Sequence, residues 1–270
     1  MQLKLSVLLL SAGFSFLLLT SCKKETLSGS ATSYVEVEQK NSSLLFFYSS
    51  PTDAASGTDG FPIYEAALQA YDSLEVLVNI PNSNPFGGNS DQVFGMLEDT
   101  FNLLGIAPVQ YSLPRFQANL DTNISLQQAM AAHNTAAVVA NSNYELELTP
   151  SKIIVNTTTQ FFQDVNDDYF LTAYILVDSL VADQAGHPDG ANTVHRRVAV
   201  DVAMPPGYDE NYLAYKVASG PIYAGYQFNL SLEADRNPAW SNPDHISVAL
   251  IITTRDDNGK PVFVNANTLH

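Results

Sequence analysis

The chain has 270 residues, 46% of them hydrophobic with 14 Phe and 13 Tyr, and a single cysteine, Cys22. With 28 acidic against 12 basic side chains it carries a formal charge of −16, which repels phosphate backbones and anionic lipid headgroups alike. Nucleic acid is excluded as a natural partner, and with one thiol no internal disulfide can form, so stability must come from apolar cores.

The N-terminus reads as a targeting segment. Lys4 precedes an apolar stretch from Leu5 to Leu19, which closes on Leu19-Thr20-Ser21-Cys22. A charged start, a short apolar run and a small-residue cleavage site describe a lipoprotein signal peptide over residues 1–21. The apolar run is shorter than the roughly 20 residues a spanning helix needs. Cys22 is then the first residue of the mature chain, and its sulfur carries the acyl group. Residues 22–43 are rich in Ser, Thr, Lys and Glu and are expected to be a tether.

Residues 44–137 alternate between strand and helix patterns. Leu44–Tyr48 is a continuous apolar run, as in a strand covered on both faces. Phe61, Tyr64, Leu68 and Tyr71 follow at helical spacing, and Leu74–Ile80 predicts a second strand. After a turn-rich loop with Gly87-Gly88, Ser90 caps a predicted helix ending at Gly105. Residues 109–113 predict a third strand and 126–137 a last helix. This order predicts an α/β unit.

Residues 138–270 change character. Strands are predicted at 144–149, 152–160, 169–177, 194–204, 212–217, 226–235, 246–255 and 260–265. They are separated by turn signals such as Asn166-Asp167-Asp168, Pro205-Pro206-Gly207 and Asp257-Asn258-Gly259. So many short strands predict an antiparallel β-sandwich, and Asn258-Gly259 marks its clearest hairpin.

Two sets of residues carry a resemblance. Leu44–Tyr48, the loop and helix after it, and Gly105-Ile106-Ala107-Pro108 resemble a thioredoxin-like domain. Leu171–Asp178, Val181-Ala182-Asp183-Gln184, Thr193–Val198 and the closing Val262–Asn267 resemble, together with the first set, the Omp-twenty-eight-related lipoprotein family of Bacteroidetes. The resemblance implies an α/β thioredoxin-like domain followed by an all-β immunoglobulin-like sandwich, and an outer-membrane address. It also implies structural hydrogen-bonding roles for Gln184 and His195. Where redox-active relatives would carry Cys-x-x-Cys, however, this chain reads Tyr48-Ser49-Ser50-Pro51-Thr52-Asp53. Thiol–disulfide exchange needs a thiolate, and a serine hydroxyl is far too weakly acidic to replace it. What remains is a possible pocket of Ser49, Ser50, Pro108 and Arg115.

Other constellations are thinner. Asp164, Asn166 and Asp168 alternate as a calcium loop begins, but Tyr169 and Ile175 stand where an EF-hand needs Gly and Glu. Asp183, His187, Asp189 and His195 share one loop region and include metal-ligating residue types. No Gly-x-Ser-x-Gly or His-Glu-x-x-His motif is present, no cofactor is expected, and Gly87-Gly88 lacks the Lys-Ser/Thr of a phosphate cradle. Trp240 and Tyr208, Tyr212, Tyr215, Tyr223 and Tyr226 offer amphipathic rings for an envelope protein or a glycan. The expectation is a non-enzymatic, lipid-anchored envelope protein. Its alternatives are an enzyme of non-thiol chemistry at Ser49, Ser50 and Arg115, or a calcium-dependent adhesion module.

Overall fold

A computed structural model of the chain describes residues 35–71, 73–83, 85–89, 92, 95, 114–116, 126–208, 214–257, 259 and 261–269. The segment expected to be a signal peptide, Cys22, the strand predicted at 109–113 and Pro108 lie outside the described residues, as does most of the helix predicted from Ser90. The fold is sheet-rich with few helices.

Strand β1 (Leu44–Ser49) runs parallel to β2 (Val76–Pro81), from Leu44 opposite Val76 to Ser49 opposite Pro81. A parallel pair needs a crossover. Here a wide turn over Ser56–Gly60 leads into helix α1 (Phe61–Tyr71). The helix buries Phe61, Tyr64, Ala67 and Leu68 against Leu45, Phe47 and Leu77, with Met130 of helix α2 (Leu126–Thr135) closing this core. Phe47 stacks on Tyr64 at 4.6 Å and meets the Phe61 ring edge-on at 5.4 Å. Because side chains alternate along a strand, the other face of β1 presents Leu44, Phe46 and Tyr48. These pack on Tyr174, Leu176, Ala249 and Ile251, residues of the C-terminal half. A short strand β3 (Pro114–Phe116) lies antiparallel along the free edge of β1.

The C-terminal half is built from β4 (Ala140–Leu148), β5 (Lys152–Phe161), β6 (Asp168–Val177), β7 (Leu180–Ala182), β8 (Thr193–His195), β9 (Val198–Ala203), β10 (Tyr215–Ser219), β11 (Gln227–Asp235), β12 (Ile246–Arg255) and β13 (Pro261–Asn267). Where one strand is expected over 194–204 there are two, broken at Arg197, whose φ is +51°. The three-stranded sheet β11-β5-β4 faces β6, β9 and β12 across one core that includes Val155, Phe161, Leu171, Ile175, Val200, Leu232 and Leu250. That is a β-sandwich.

One sheet crosses the boundary expected at residue 137. Its order is β13-β12-β6-β9-β2-β1-β3, with β10 on β6. The junction is a parallel bridge between Asn79 and Val198, where the Asn79 N–H donates to the Arg197 carbonyl at 2.8 Å. The loop after β2 tightens the joint. Gly88, at φ +83°, passes so close that an added Cβ would stand 2.6 Å from the Val200 carbonyl oxygen and 2.8 Å from the Trp240 ring. Trp240 Nε1 donates to the Phe86 carbonyl at 3.2 Å. Gly87-Gly88 is therefore a packing seam, and Trp240, 2% exposed, is core rather than a recognition surface.

The segment expected to be a free tether is docked from residue 35 onward. Val37 is buried, and asparagine side chains bind the segment's backbone where no strand pairs with it. Asn143 Nδ2 donates to the Glu36 carbonyl, Asn141 Nδ2 to Glu38, and Asn265 Nδ2 to Lys40. Asn265 Oδ1 accepts from the Ser42 N–H. A polar composition does not by itself keep a segment free when a neighbouring surface supplies donors and acceptors in register. Among the described residues no helix is long and apolar enough to cross a membrane.

Candidate functional site

The site expected from the sequence lies where β1 ends. Ser49 is the last residue of β1, and its hydroxyl donates to Asn79 Oδ1 at 2.6 Å. The Ser50 N–H donates to Ser56 Oγ at 3.0 Å, which closes the loop between strand and helix on itself. Ser49, Ser50 and Ser56 are all buried. They are covered by a strap from the C-terminal half: β7, the turn that follows it, and β8, paired from Leu180 opposite His195 to Ala182 opposite Thr193.

The strap is latched to the loop below it. Gln184, fully buried, donates from Nε2 to the Ser50 carbonyl at 2.9 Å and to the Asp53 carbonyl at 3.4 Å. The Ala185 N–H donates to the Pro51 carbonyl at 2.8 Å. Two glycines permit this approach. A Cβ on Gly57 would stand 2.1 Å from the Ala185 carbonyl oxygen, and one on Gly186, at φ +78°, 2.2 Å from that of Ala54. Gln184 thus bonds from the C-terminal half to the loop after β1, where the resemblance implied a bond across the sandwich.

His195 is buried with its ring edge-on to Phe61 at 5.0 Å and Phe86 at 4.7 Å. Burial drives its pKa down to about 4, with the Ala182 carbonyl opposing and the nearby His187 adding to the fall. It is therefore a neutral ring at physiological pH, placed as packing. His187 accepts the Asp189 N–H on Nδ1 at 3.2 Å and lies 3.1 Å from Thr193 Oγ1, so it holds its own turn. Among the described residues no three His, Cys, Asp or Glu side chains converge as a metal would require.

A nucleophilic serine needs an imidazole or amine in hydrogen-bond contact. Ser49 is bonded to an amide oxygen, and Ser50 Oγ lies 3.5 Å from Thr52 Oγ1. The backbone of Arg115 pairs with Phe46 on the far edge of β1, so it is on the same sheet as Ser49. Its side chain and Pro108 lie outside the described residues.

The alternating acidic residues are occupied elsewhere. Asp164 Oδ1 accepts the Ala224 N–H at 2.8 Å. Asp168, already in β6, takes Lys216 Nζ and Ser219 Oγ at 2.5 Å each, and these two donors hold its carboxyl below the usual range. The protein thus supplies Asp168 with its own cation. Of the aromatic residues, Tyr208, Tyr223 and Tyr226 are exposed, and Tyr208 meets Tyr215 edge-on at 5.6 Å.

What the sequence does not reveal is the strap. Gln184 and its neighbours sit 134 positions from the loop they cover. The only local hint is Gly57 and Gly186, two glycines whose need for space becomes evident once the loops meet.

No protein-family profile matches the chain, and no curated protein does. Among solved structures it resembles HBP35 of Porphyromonas gingivalis, with a TM-score of 0.62 and 13% identity over 87% of this chain and 76% of that one. A β-glucosidase from Kluyveromyces marxianus aligns over 49% of this chain and 14% of its own at 10% identity, with a TM-score of 0.25 that carries no argument. At 13% identity the first likeness concerns the fold alone: this chain shares a sheet-rich architecture with a Bacteroidetes protein.

Proposed function

We propose that this chain is a lipid-anchored protein of the bacterial outer membrane whose folded part is a non-enzymatic binding module. In this reading a redox-inert thioredoxin-like unit is fused to an immunoglobulin-like sandwich, on the pattern of the Omp-twenty-eight-related lipoproteins. One observation carries it. The position after β1 that would hold the thiols is Ser49-Ser50, buried under the Gln184 strap, while the chain's sole cysteine, Cys22, closes the segment that reads as a lipoprotein cleavage site. The arrangement of β1, α1, β2 and antiparallel β3 supports the thioredoxin-like reading, and the two facing sheets support the immunoglobulin-like one. Lys23 after the acylated residue, rather than Asp, favours the outer membrane as the address.

The decisive measurement is intact mass spectrometry of the protein purified from bacterial membranes. A mature chain starting at Cys22 with acyl mass, together with inactivity in insulin reduction, is the expected result. A bare Cys22, or reduction of insulin, overturns the reading. A saturable partner from envelope proteins or glycans then completes it. Turnover of a substrate that depends on Arg115 would replace it with non-thiol enzymology.

A further inference from the structure

A cleft of about 310 Å³ opens at the end of the sandwich where β6 stops and β9 and β12 start, within the roughly 300–1,000 Å³ span of small-ligand pockets. None of the site residues expected from the sequence lines it. Its walls carry Arg197, Tyr144, Asp178, Asp244 and Ser247, and an apolar lining that includes Leu146 and Leu269.

The backbone is strained at this cleft. Among the described residues, Ser179 and Arg197 are the two non-glycine positions with positive φ, at 59° and 51°. Arg197 lines the cleft and Ser179 follows Asp178, which also lines it. The left-handed conformation is costly for any residue with a Cβ, and a bulky arginine there is a rarity. Such residues persist where the surroundings over-determine them, and they gather at binding sites. Both turns are held in place. The Arg197 carbonyl accepts the Asn79 N–H at 2.8 Å, and the Asp178 N–H donates to the His245 carbonyl at 2.8 Å. Arg196 Nε lies 3.4 Å from Asp178 Oδ1, tying one turn to the other.

The polar groups define what the cleft would hold. Arg197 Nη1 lies 3.4 Å from Ser247 Oγ, an orienting contact for a planar guanidinium. The Tyr144 hydroxyl accepts the Val248 N–H at 3.1 Å and the Leu269 N–H at 3.4 Å. The Thr268 side chain is a further partner of this hydroxyl, and burial raises its pKa. The Arg197 guanidinium lines the cleft, and a guanidinium fork fits a carboxylate. Asp178 and Asp244 suit donors, either hydroxyls or an ammonium.

We propose that this cleft binds a small carboxylate flanked by hydrogen-bond donors, with Arg197 holding the carboxylate. Two sources share that chemistry: an acidic sugar and an amino acid. The proposal deepens the binding-module reading but is tested separately from the anchor. Full-length protein in detergent is titrated by calorimetry at pH 7 with D-glucuronate and with L-leucine, each beside a counterpart lacking the carboxylate, D-glucose and leucinamide. The expected result is saturable binding of one carboxylate, which identifies the source, and none of its counterpart. Arg197→Gly should weaken that binding by about tenfold or more while the melting temperature stays level or rises, because glycine accepts the φ without strain. Ser247→Ala should weaken binding with the melting temperature unchanged. Absence of binding, equal binding of the counterparts, or a fall in the melting temperature of Arg197→Gly overturns the proposal; the last makes Arg197 a structural residue. None of these outcomes bears on whether Cys22 is acylated.

Discussion

His195 shows how a residue type that suggests chemistry becomes packing. Its ordinary pKa near 6.5 falls to about 4 in the fold. Between those values the unfolded chain takes up a proton that the folded one refuses, so the folded state is favoured fully above about pH 6.5. That advantage declines as pH drops and levels off below about 4, a swing of ~3 kcal/mol. His195→Phe, which keeps an aromatic ring between Phe61 and Phe86, should flatten this part of the stability–pH curve measured by urea unfolding. A second residue-scale expectation concerns Gly186. Alanine there meets both a φ of +78° and a backbone oxygen 2.2 Å from its Cβ. Gly186→Ala should therefore lose ~2 kcal/mol or more, seen as a lowered melting temperature.

At the scale of elements, the docked segment 35–43 is held by side-chain amides rather than by a strand ladder. Asn265 is its main clasp: fully buried, it accepts from Ser42 at 2.9 Å and donates to Lys40 at 2.8 Å and to Ala140 at 2.9 Å. Asn265→Ala leaves buried backbone groups unpaired and should cost ~2–4 kcal/mol. Faster hydrogen exchange confined to 35–43 and the start of β4 would place the loss. The periodic elements were legible in the sequence, because burial writes itself into spacing: the continuous run of β1, the helical stripe of α1, the alternation at the start of β5 and the span of β12 all fall where expected. The docked segment was not, since asparagines that bond to distant backbone look the same as asparagines that face solvent. The split of β8 from β9 was hidden for a related reason. Arg197 carries no turn signature, and its φ is imposed by the neighbours that hold it.

At the scale of the molecule, the halves on either side of residue 137 share one sheet and one seam. Leu44, Phe46 and Tyr48 are covered by Tyr174, Leu176, Ala249 and Ile251, and the Tyr64 hydroxyl donates to the Arg196 carbonyl at 3.2 Å. Residues 35–137 expressed alone would expose that apolar face and the β2 edge. They should be aggregated or molten by near-UV circular dichroism, and mixing with residues 138–270 should restore the native signal. A separately folded, cooperative 35–137 fragment would contradict the shared seam.

Length, charge, hydrophobic spacing and the lone Cys22 already settled, from residue order alone, the places of β1, α1, β2, β5, β6 and β12, the absence of internal disulfides and the absence of a thiol after β1. These are local properties, written in neighbouring residues. Which loops meet was decided only by tertiary packing. Gln184 seals Ser50, Gly88 threads past Trp240, and the turns at 178–179 and 196–197 frame a cleft that no spacing announces. The physical reason is that these contacts join residues up to 154 positions apart through backbone carbonyls and amides, groups every residue carries and no composition records.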